Sequence, residues 1–279
     1  GESMIQWFPG HMAKTKRQII ENLRLVDIVY ELVDARIPFS SRNPLIDEIV
    51  KNKPRLVIMT KADMADDSLT KKHVSTFERQ NISVVVVDAS KNLNKNIIFD
   101  KTKEILSEKI AKDAKKGIIN RPIRIMILGI PNVGKSTLIN RLVDKKVTNV
   151  GDRPGITKSK QWIRLNPSFE LLDTPGVLWP KFEDQEVGYK LALTGAIKDD
   201  ILHLDDSILY FLDFLRTYYP QSLINRYEIV ISMSNLEVLD HIGKKRGLIK
   251  NNEVLYERVY DVILNDFRNL YLGKITLDR

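Results

Sequence analysis

Residues 129–136 contain a pattern that binds phosphate groups. They read Gly-Ile-Pro-Asn-Val-Gly-Lys-Ser, which fits G-x-x-x-x-G-K-[ST], and they lie between an apolar run over 123–128 and a helical stretch over 137–142. The glycines let successive backbone N–H groups face an anion, the Lys135 ammonium can reach the β- and γ-phosphates, and the Ser136 hydroxyl can bind Mg²⁺. The sequence therefore predicts a nucleoside triphosphate site whose phosphates contact Asn132, Val133, Gly134, Lys135, Ser136 and Thr137.

A second run indicates which base the site takes. Thr60-Lys61-Ala62-Asp63 follows the apolar run 55–59, and an ionised carboxylate at Asp63 can accept two hydrogen bonds from the N1–H and N2–H₂ groups of guanine. Adenine has no such donor pair and would leave the carboxylate unpaired. Taken alone, this run also fits a solvated charged turn. Beside a phosphate loop it favours GTP over ATP, with Thr60, Lys61 and Asp63 around the base.

Three further loops carry candidate ligands. In Asp173-Thr174-Pro175-Gly176, we expect Asp173 to hold Mg²⁺ and the Gly176 N–H to face the γ-phosphate. Thr157, in the glycine-flanked loop 152–157, is the candidate for a hydroxyl that binds Mg²⁺ and an N–H that senses the γ-phosphate. After the run 82–87, the backbone N–H of Ala89 or Ser90 is placed to contact guanine O6. Each loop is otherwise an ordinary turn, so the prediction rests on their joint occurrence.

The elements around these loops predict an α/β fold. Apolar, β-branched runs at 28–33, 55–59, 82–87, 123–128 and 169–172 alternate with helical stretches, which is typical of a mostly parallel sheet. Residues 162–165 are expected to form an edge strand antiparallel to 169–172. After residue 180 only helical spacing continues. We therefore predict a GTPase domain over 1–180 and an all-helical domain over 181–279, with Gly1–Ser3 before Met4 interpreted as a tag remnant.

Composition restricts the function classes further. Residues 1–180 carry 31 basic and 20 acidic side chains, a balance of +11, whereas 181–279 carry 13 and 16, a balance of −3. A basic N-terminal part fits either a polyanionic partner or ordinary solubilising charge. The absence of cysteine excludes disulfides, metal–thiolate sites and cysteine nucleophiles. No run reaches the 18 apolar residues of a membrane span. Because the chain has no cysteine and nothing at the N-terminus resembles a secretion signal, we expect a cytoplasmic protein.

The order of the loops carries a resemblance to a known family. They run 60–63, 88–91, 129–136, Thr157 and 173–176, whereas translation-factor-like GTPases begin with the phosphate loop. A parallel sheet tolerates this change because loops at the carboxyl ends of its strands gather whatever the chain order. Together with the runs 6–12 and 34–38, this order resembles the circularly permuted GTPase family over nearly the whole chain. The resemblance implies GTP hydrolysis to GDP with Mg²⁺, stimulated by the large (50S) ribosomal subunit, and a precursor of that subunit with its rRNA as partner. It also implies that the helical domain 181–279 binds RNA.

The residue that activates water remains open. Many GTPases place a glutamine after the Asp-x-x-Gly motif, but this chain has Val177 there. The resemblance assigns a catalytic role to His11, although a lone histidine also fits local capping or packing. It further implies that Asn132 is a ligand for K⁺; the alternative is a bond within its own loop. The predicted catalytic residues are thus His11, Lys135 and Thr157.

Three classes of function fit these residues. The first, which we favour, is an assembly factor that binds the precursor with GTP and leaves on hydrolysis. The second is a guanine-nucleotide-dependent RNA-binding scaffold with little turnover. The third, a phosphotransferase or ATPase, is disfavoured by Asp63. Lys244-Lys245-Arg246 either contacts RNA phosphate or complements a helix C-terminus. We expect a monomer in which the helical domain, attached directly after Gly176, responds to loss of the γ-phosphate.

Overall fold

The computed structural model describes residues 9–88, 93–143, 161–173, 176–177, 184–197 and 204–279, with backbone only at 9–12 and 176–177. Its centre is a sheet of strand order β3-β2-β1-β4-β6-β5, in which β7 pairs with β4. The strands are β1 Ile28–Asp34, β2 Arg55–Thr60, β3 Ser83–Val86, β4 Ile123–Gly129, β5 Trp162–Asn166, β6 Phe169–Leu172 and β7 Gly176–Val177. Every pairing is parallel except β5 with β6. Both the mostly parallel α/β sheet and its antiparallel edge strand are confirmed.

The central strand β1 is buried along its whole length, as a strand covered on both faces must be. Two acidic residues interrupt its apolar run, and each is neutralised by an arginine. Glu31 accepts two hydrogen bonds from Arg42, at 2.7 and 3.0 Å, and Asp34 accepts two from the Arg36 side chain, at 3.0 and 2.7 Å. Bidentate pairing of this kind is how a carboxylate is retained in an apolar interior.

Helices cover both faces of the sheet and form most of the C-terminal part. They are α1 Pro9–Leu23, α2 Ile46–Val50, α3 Asp67–Arg79, α4 Lys95–Ile105, α5 Ser107–Lys115, α6 Lys135–Leu142, α7 Gln185–Thr194, α8 Leu204–Tyr218, α9 Pro220–Tyr227, α10 Asn235–Lys245 and α11 Tyr256–Arg268. Side chains cap several starts: Asp66 accepts from the Ser68 N–H at α3, and Ser234 and Glu237 form a capping box at α10. Across the described residues, none of the helices is long and apolar enough to span a membrane.

A short hairpin interrupts the helices of the C-terminal part. Strands β8 Ile249–Lys250 and β9 Glu253–Val254 pair antiparallel across Asn251 and Asn252. These two asparagines have φ of 53° and 61°, the left-handed pair that a two-residue type I′ turn requires. The hairpin lies between α10 and α11 and adds a small feature to the expected helical architecture.

The chain end returns to the sheet. The Leu277 N–H donates to the Arg36 carbonyl at 2.8 Å, just after β1. The Asp278 carboxylate accepts from the N–H groups of Phe39 and Ser40, each at 2.9 Å, and from the Ser40 hydroxyl at 2.6 Å. One buried apolar cluster runs from Ile28 in the sheet to Leu277 in this tail. The sheet and the C-terminal helices therefore share a core.

Candidate nucleotide-binding site

The site lies where the sheet reverses its strand order. Strands β2 and β3 lie on one side of β1, and β4, β6 and β5 on the other, so the reversal falls between β1 and β4. Open α/β sheets bind ligands at such a switch point, beyond the carboxyl ends of the strands. The phosphate loop 130–134 follows β4 at this edge, and Asp34 ends β1 beside it.

The backbone of the phosphate loop has the shape of an anion site. Asn132 has φ of 61°, and Gly134, which immediately precedes α6, has φ of 105°. Left-handed residues within a tight loop turn consecutive N–H groups toward one point, and the N-terminus of α6 adds its positive dipole. A side chain at Gly134 would be strained at this φ, which explains the second glycine of the motif.

Lys135 supplies a charge that fits a phosphate. Its Nζ atom is buried, and it has no hydrogen-bond partner among the described residues. Burial lowers the pKa of this ammonium below its usual value. A buried cation is costly unless an anion accompanies it, and the phosphate oxygens of a nucleotide would be that anion. This residue is the clearest indication that the loop is built around a phosphorylated ligand.

The base-recognition run is joined to the phosphate loop. The Thr60 hydroxyl lies 2.7 Å from the Val133 carbonyl and 3.1 Å from the Val33 carbonyl, so it donates to one of them. The Lys61 ammonium donates to the Asn132 carbonyl at 3.1 Å. Burial lowers the pKa of Lys61 and outweighs the opposing effect of the Asp34 carboxylate, and the nearby charges of Arg36 and Arg268 lower it further. The loop that would bind the base and the loop that would bind the phosphates are thus hydrogen-bonded to each other at one edge of the sheet.

Asp63 is held at the same edge. It lies in a 3₁₀ turn, Ala62–Met64, directly after β2. The Ala62 N–H donates to the Val87 carbonyl at 3.3 Å, which brings the turn against the end of β3. The segment that begins at Asp88 therefore starts beside Asp63. Ala89 and Ser90, the candidates for a contact with guanine O6, lie outside the described residues.

The candidate Mg²⁺ ligands flank the phosphate loop. Ser136 is exposed in the first turn of α6, and Asp173 is exposed directly after β6. Gly176 pairs with Leu128 at the end of β4, so its backbone is adjacent to the loop. The described residues contain no cluster of three or more His, Cys, Asp or Glu side chains. A Mg²⁺ ion here would be held by the Ser136 hydroxyl, the Asp173 carboxylate and phosphate oxygens, a donor set that suits this ion.

Two predicted catalytic residues cannot be placed. The His11 backbone lies in α1, but its side chain is outside the described residues, as is all of Thr157. Asn132, the predicted K⁺ ligand, is described: its side-chain amide donates to the Gly195 carbonyl at the end of α7, at 3.4 Å. This contact joins the phosphate loop to the C-terminal part of the chain.

The buried pair of Asp34 and Arg36 was not expected at the site. It lies between the two loops, and the Lys61 ammonium is 3.9 Å from the Asp34 carboxylate. In the sequence, residues 34–38 served only as part of a family resemblance. An acidic residue at the end of the buried strand β1, with an arginine two residues later, was the available indication, because burial forces such residues to pair.

Comparisons with known proteins agree with this geometry. Residues 124–252 match the family model described as 50S ribosome-binding GTPase. The ribosome biogenesis GTPase A of Bacillus licheniformis is 50% identical over 278 residues, which cover 99% of this chain and 98% of that protein. Two solved structures of YlqF from T. maritima are also similar. The GNP-bound form has a TM-score of 0.68 at 28% identity, covering 95% of this chain and 98% of that one; the GDP-bound form has 0.66 at 27%, covering 94% and 99%.

Proposed function

The chain belongs to the family of ribosome biogenesis GTPases, which act in ribosome assembly, and from this premise we propose that it acts in assembly of the large (50S) subunit. In this proposal it binds a precursor of that subunit and its rRNA with GTP bound, and it leaves when GTP is hydrolysed to GDP and phosphate. The Lys135 ammonium is buried beside a connected base-recognition loop and has no hydrogen-bond partner among the described residues, and this observation carries the nucleotide site.

The roles that we propose for the remaining site residues follow from their places in the sequence motifs. Lys135 would bind the β- and γ-phosphates, and the exposed Ser136 and Asp173 would hold Mg²⁺, with Thr157 as a further ligand. Asp63, Ala89 and Ser90 would read guanine, and the Gly176 N–H would meet the γ-phosphate. His11 would orient or deprotonate the attacking water, because Val177 has no polar group for that task. K⁺ at Asn132 would add positive charge where many GTPases use an arginine.

The surface charges favour one RNA-binding region over another. In the basic run after α10, Lys245 forms an ion pair with Glu228, and Arg246 lies 3.8 Å from the Asp266 carboxylate. These cations are partly used within the C-terminal part itself. Lys112, Lys115 and Lys116, at the end of α5 and just after it, are exposed. We therefore propose that residues 1–180 form the GTPase domain and supply much of the phosphate contact, with 181–279 as the helical domain beside it.

The first test is GTP hydrolysis by the purified protein in K⁺ buffer, alone and with large or small ribosomal subunits. Stimulation by the large subunit alone supports the proposal. No stimulation by either subunit, with nucleotide-dependent RNA binding retained, would instead favour the scaffold alternative. Competition between ATP and labelled GTP checks base selectivity, and effective competition by ATP would contradict the role of Asp63. We also propose a cytoplasmic monomer, which sedimentation of the free protein would test.

A further inference from the structure

The C-terminal end of α7 is held by side chains from three separate parts of the chain. Arg268 donates to the carbonyls of Leu193 and Ala192, at 3.0 and 2.9 Å. Arg36 donates to the Thr194 carbonyl at 3.4 Å, and Asn132 donates to the Gly195 carbonyl at 3.4 Å. The last carbonyls of a helix lack partners within it and carry partial negative charge, so cations and amides are favourable there. Two of these three groups, Arg36 and Asn132, belong to the edge of the nucleotide site.

Arg36 also stabilises the ionised Asp34 carboxylate, which lies next to the two nucleotide loops. Burial alone would raise the pKa of Asp34, but the charge and hydrogen bonds of Arg36 outweigh burial, and with a smaller contribution from Lys61 they hold it below its usual value. Lys61 lies 3.9 Å from the same carboxylate and donates to the phosphate loop at Asn132. The contacts therefore form a closed ring that runs from Asn132 to the end of α7, then to Arg36, Asp34, Lys61 and back to Asn132.

We propose that Arg36 is a positioning residue that couples the nucleotide loops to the helical part of the chain. Because Arg36 pairs with Asp34, the Lys61 ammonium remains free to donate to the phosphate loop at Asn132. Because Arg36 also donates to the Thr194 carbonyl, it connects this group of contacts to the end of α7. The inference rests on the proposed nucleotide site, because a bound nucleotide would contact the ring at both Lys61 and the phosphate loop. Without the guanidinium, the Lys61 ammonium, which lies 3.9 Å from the buried Asp34 carboxylate, would turn toward Asp34 and away from the Asn132 carbonyl.

Three variants of the full chain separate this role from plain stabilisation. Arg36→Gln removes the guanidinium, and the double variant Asp34→Asn with Arg36→Gln also removes the carboxylate that would compete for Lys61. Arg42→Gln is the matched control. Arg42 makes the same bidentate contact to a buried carboxylate of β1, but its ion pairs are with Glu31 and Asp47, away from the nucleotide loops and α7.

Two measurements are needed: the affinity for a fluorescent GDP or GTP analogue, and the hydrogen exchange of amides in 185–197 with and without saturating nucleotide. In the wild type we expect nucleotide to slow exchange at the end of α7. Arg36→Gln should weaken nucleotide affinity on the order of tenfold and reduce that slowing at saturation, since among the described residues only the Asn132 contact to Gly195 then joins the phosphate loop to α7. The double variant should recover the affinity but not the slowing, whereas Arg42→Gln should keep both even if its melting temperature falls.

The division between affinity and exchange is decisive, since a merely structural role would change both together. Slowing in Arg36→Gln equal to that of the wild type, or a double variant as weak as the single one, would overturn the inference. If Arg36→Gln does not fold, the neutral double variant still tests the α7 contact. A wild type that binds nucleotide without any change at α7 would overturn the coupling alone, whereas one that binds no guanine nucleotide would overturn the proposed function as well.

Discussion

Replacing Lys135 by Met should stabilise the nucleotide-free protein while removing its ability to hold nucleotide. The Lys135 ammonium is buried and lacks a partner among the described residues, whereas Met has a similar length and no charge to desolvate. Leaving a buried donor unsatisfied costs about 1–3 kcal/mol. We therefore expect the free energy of unfolding of Lys135→Met, measured in urea without nucleotide, to exceed that of the wild type by about 1–3 kcal/mol.

The pH dependence of this gain identifies its source. Burial lowers the pKa of Lys135 in the folded state below the unfolded value of about 10.4. Between these two pKa values the unfolded chain binds more protons than the folded protein, so the free energy of unfolding of the wild type rises with pH. The advantage of Lys135→Met should therefore be largest at neutral pH and shrink as the pH approaches about 10.4. Lys112→Met, at an exposed position of α5, is the control and should show neither the gain nor its pH dependence.

Nucleotide should then reverse the order of stability. GDP at about a thousand times its dissociation constant stabilises a protein that binds it by about 4.1 kcal/mol, which exceeds the whole expected advantage of Lys135→Met. The wild type should gain this amount and Lys135→Met should not. A variant that is no more stable than the wild type without nucleotide, or whose advantage is the same at neutral and alkaline pH, would refute the conclusion that burial of the Lys135 ammonium destabilises the nucleotide-free protein.

Four further outcomes are expected. His11→Ala should lower the ribosome-stimulated hydrolysis rate more than tenfold, an order typical of losing a general base, without changing nucleotide affinity; unchanged turnover would exclude the catalytic role. Hydrolysis should be faster in K⁺ than in Na⁺, and equal rates would count against an ion at Asn132. Gly134→Ala should destabilise the protein by about 1–2 kcal/mol in urea, because an alanine at φ of 105° is strained. Asp266→Ala should cost about 1.5–3 kcal/mol, since the buried carboxylate accepts hydrogen bonds from Arg226 and Tyr227; an unchanged urea midpoint would contradict that contribution.

The features that sequence predicted well are local ones. The phosphate loop is recognisable because the glycines, the lysine and the following helix are all required within a short stretch to surround an anion. The parallel sheet is recognisable because strands buried on both faces, such as β1, must be almost continuously apolar. In both cases the physical cause acts between neighbouring residues, so the pattern appears directly in the sequence.

The features that sequence did not predict depend on distant contacts. Asp278 bonds to Ser40 across a separation of 238 residues, and no local pattern marks either residue as a partner. The alternatives for the basic run 244–246 also depended on a distant group, Glu228, which pairs with Lys245. A spacing argument can identify the ligands of a phosphate but not the groups that support them.

The way the helical part is attached restricts how hydrolysis can act on it. Strand β7, which pairs with β4 beside the phosphate loop, precedes α7 along the chain, and the end of α7 returns to that loop at Asn132. The other end of the helical part, residues 277–278, bonds to the backbone of Arg36, Phe39 and Ser40 just after β1. The helices are therefore held to the site edge near both their first and their last residues, and they share a core with the sheet. A change of nucleotide would have to act by exchanging a few specific contacts at this edge, because a free hinge motion would break both attachments and expose the common core.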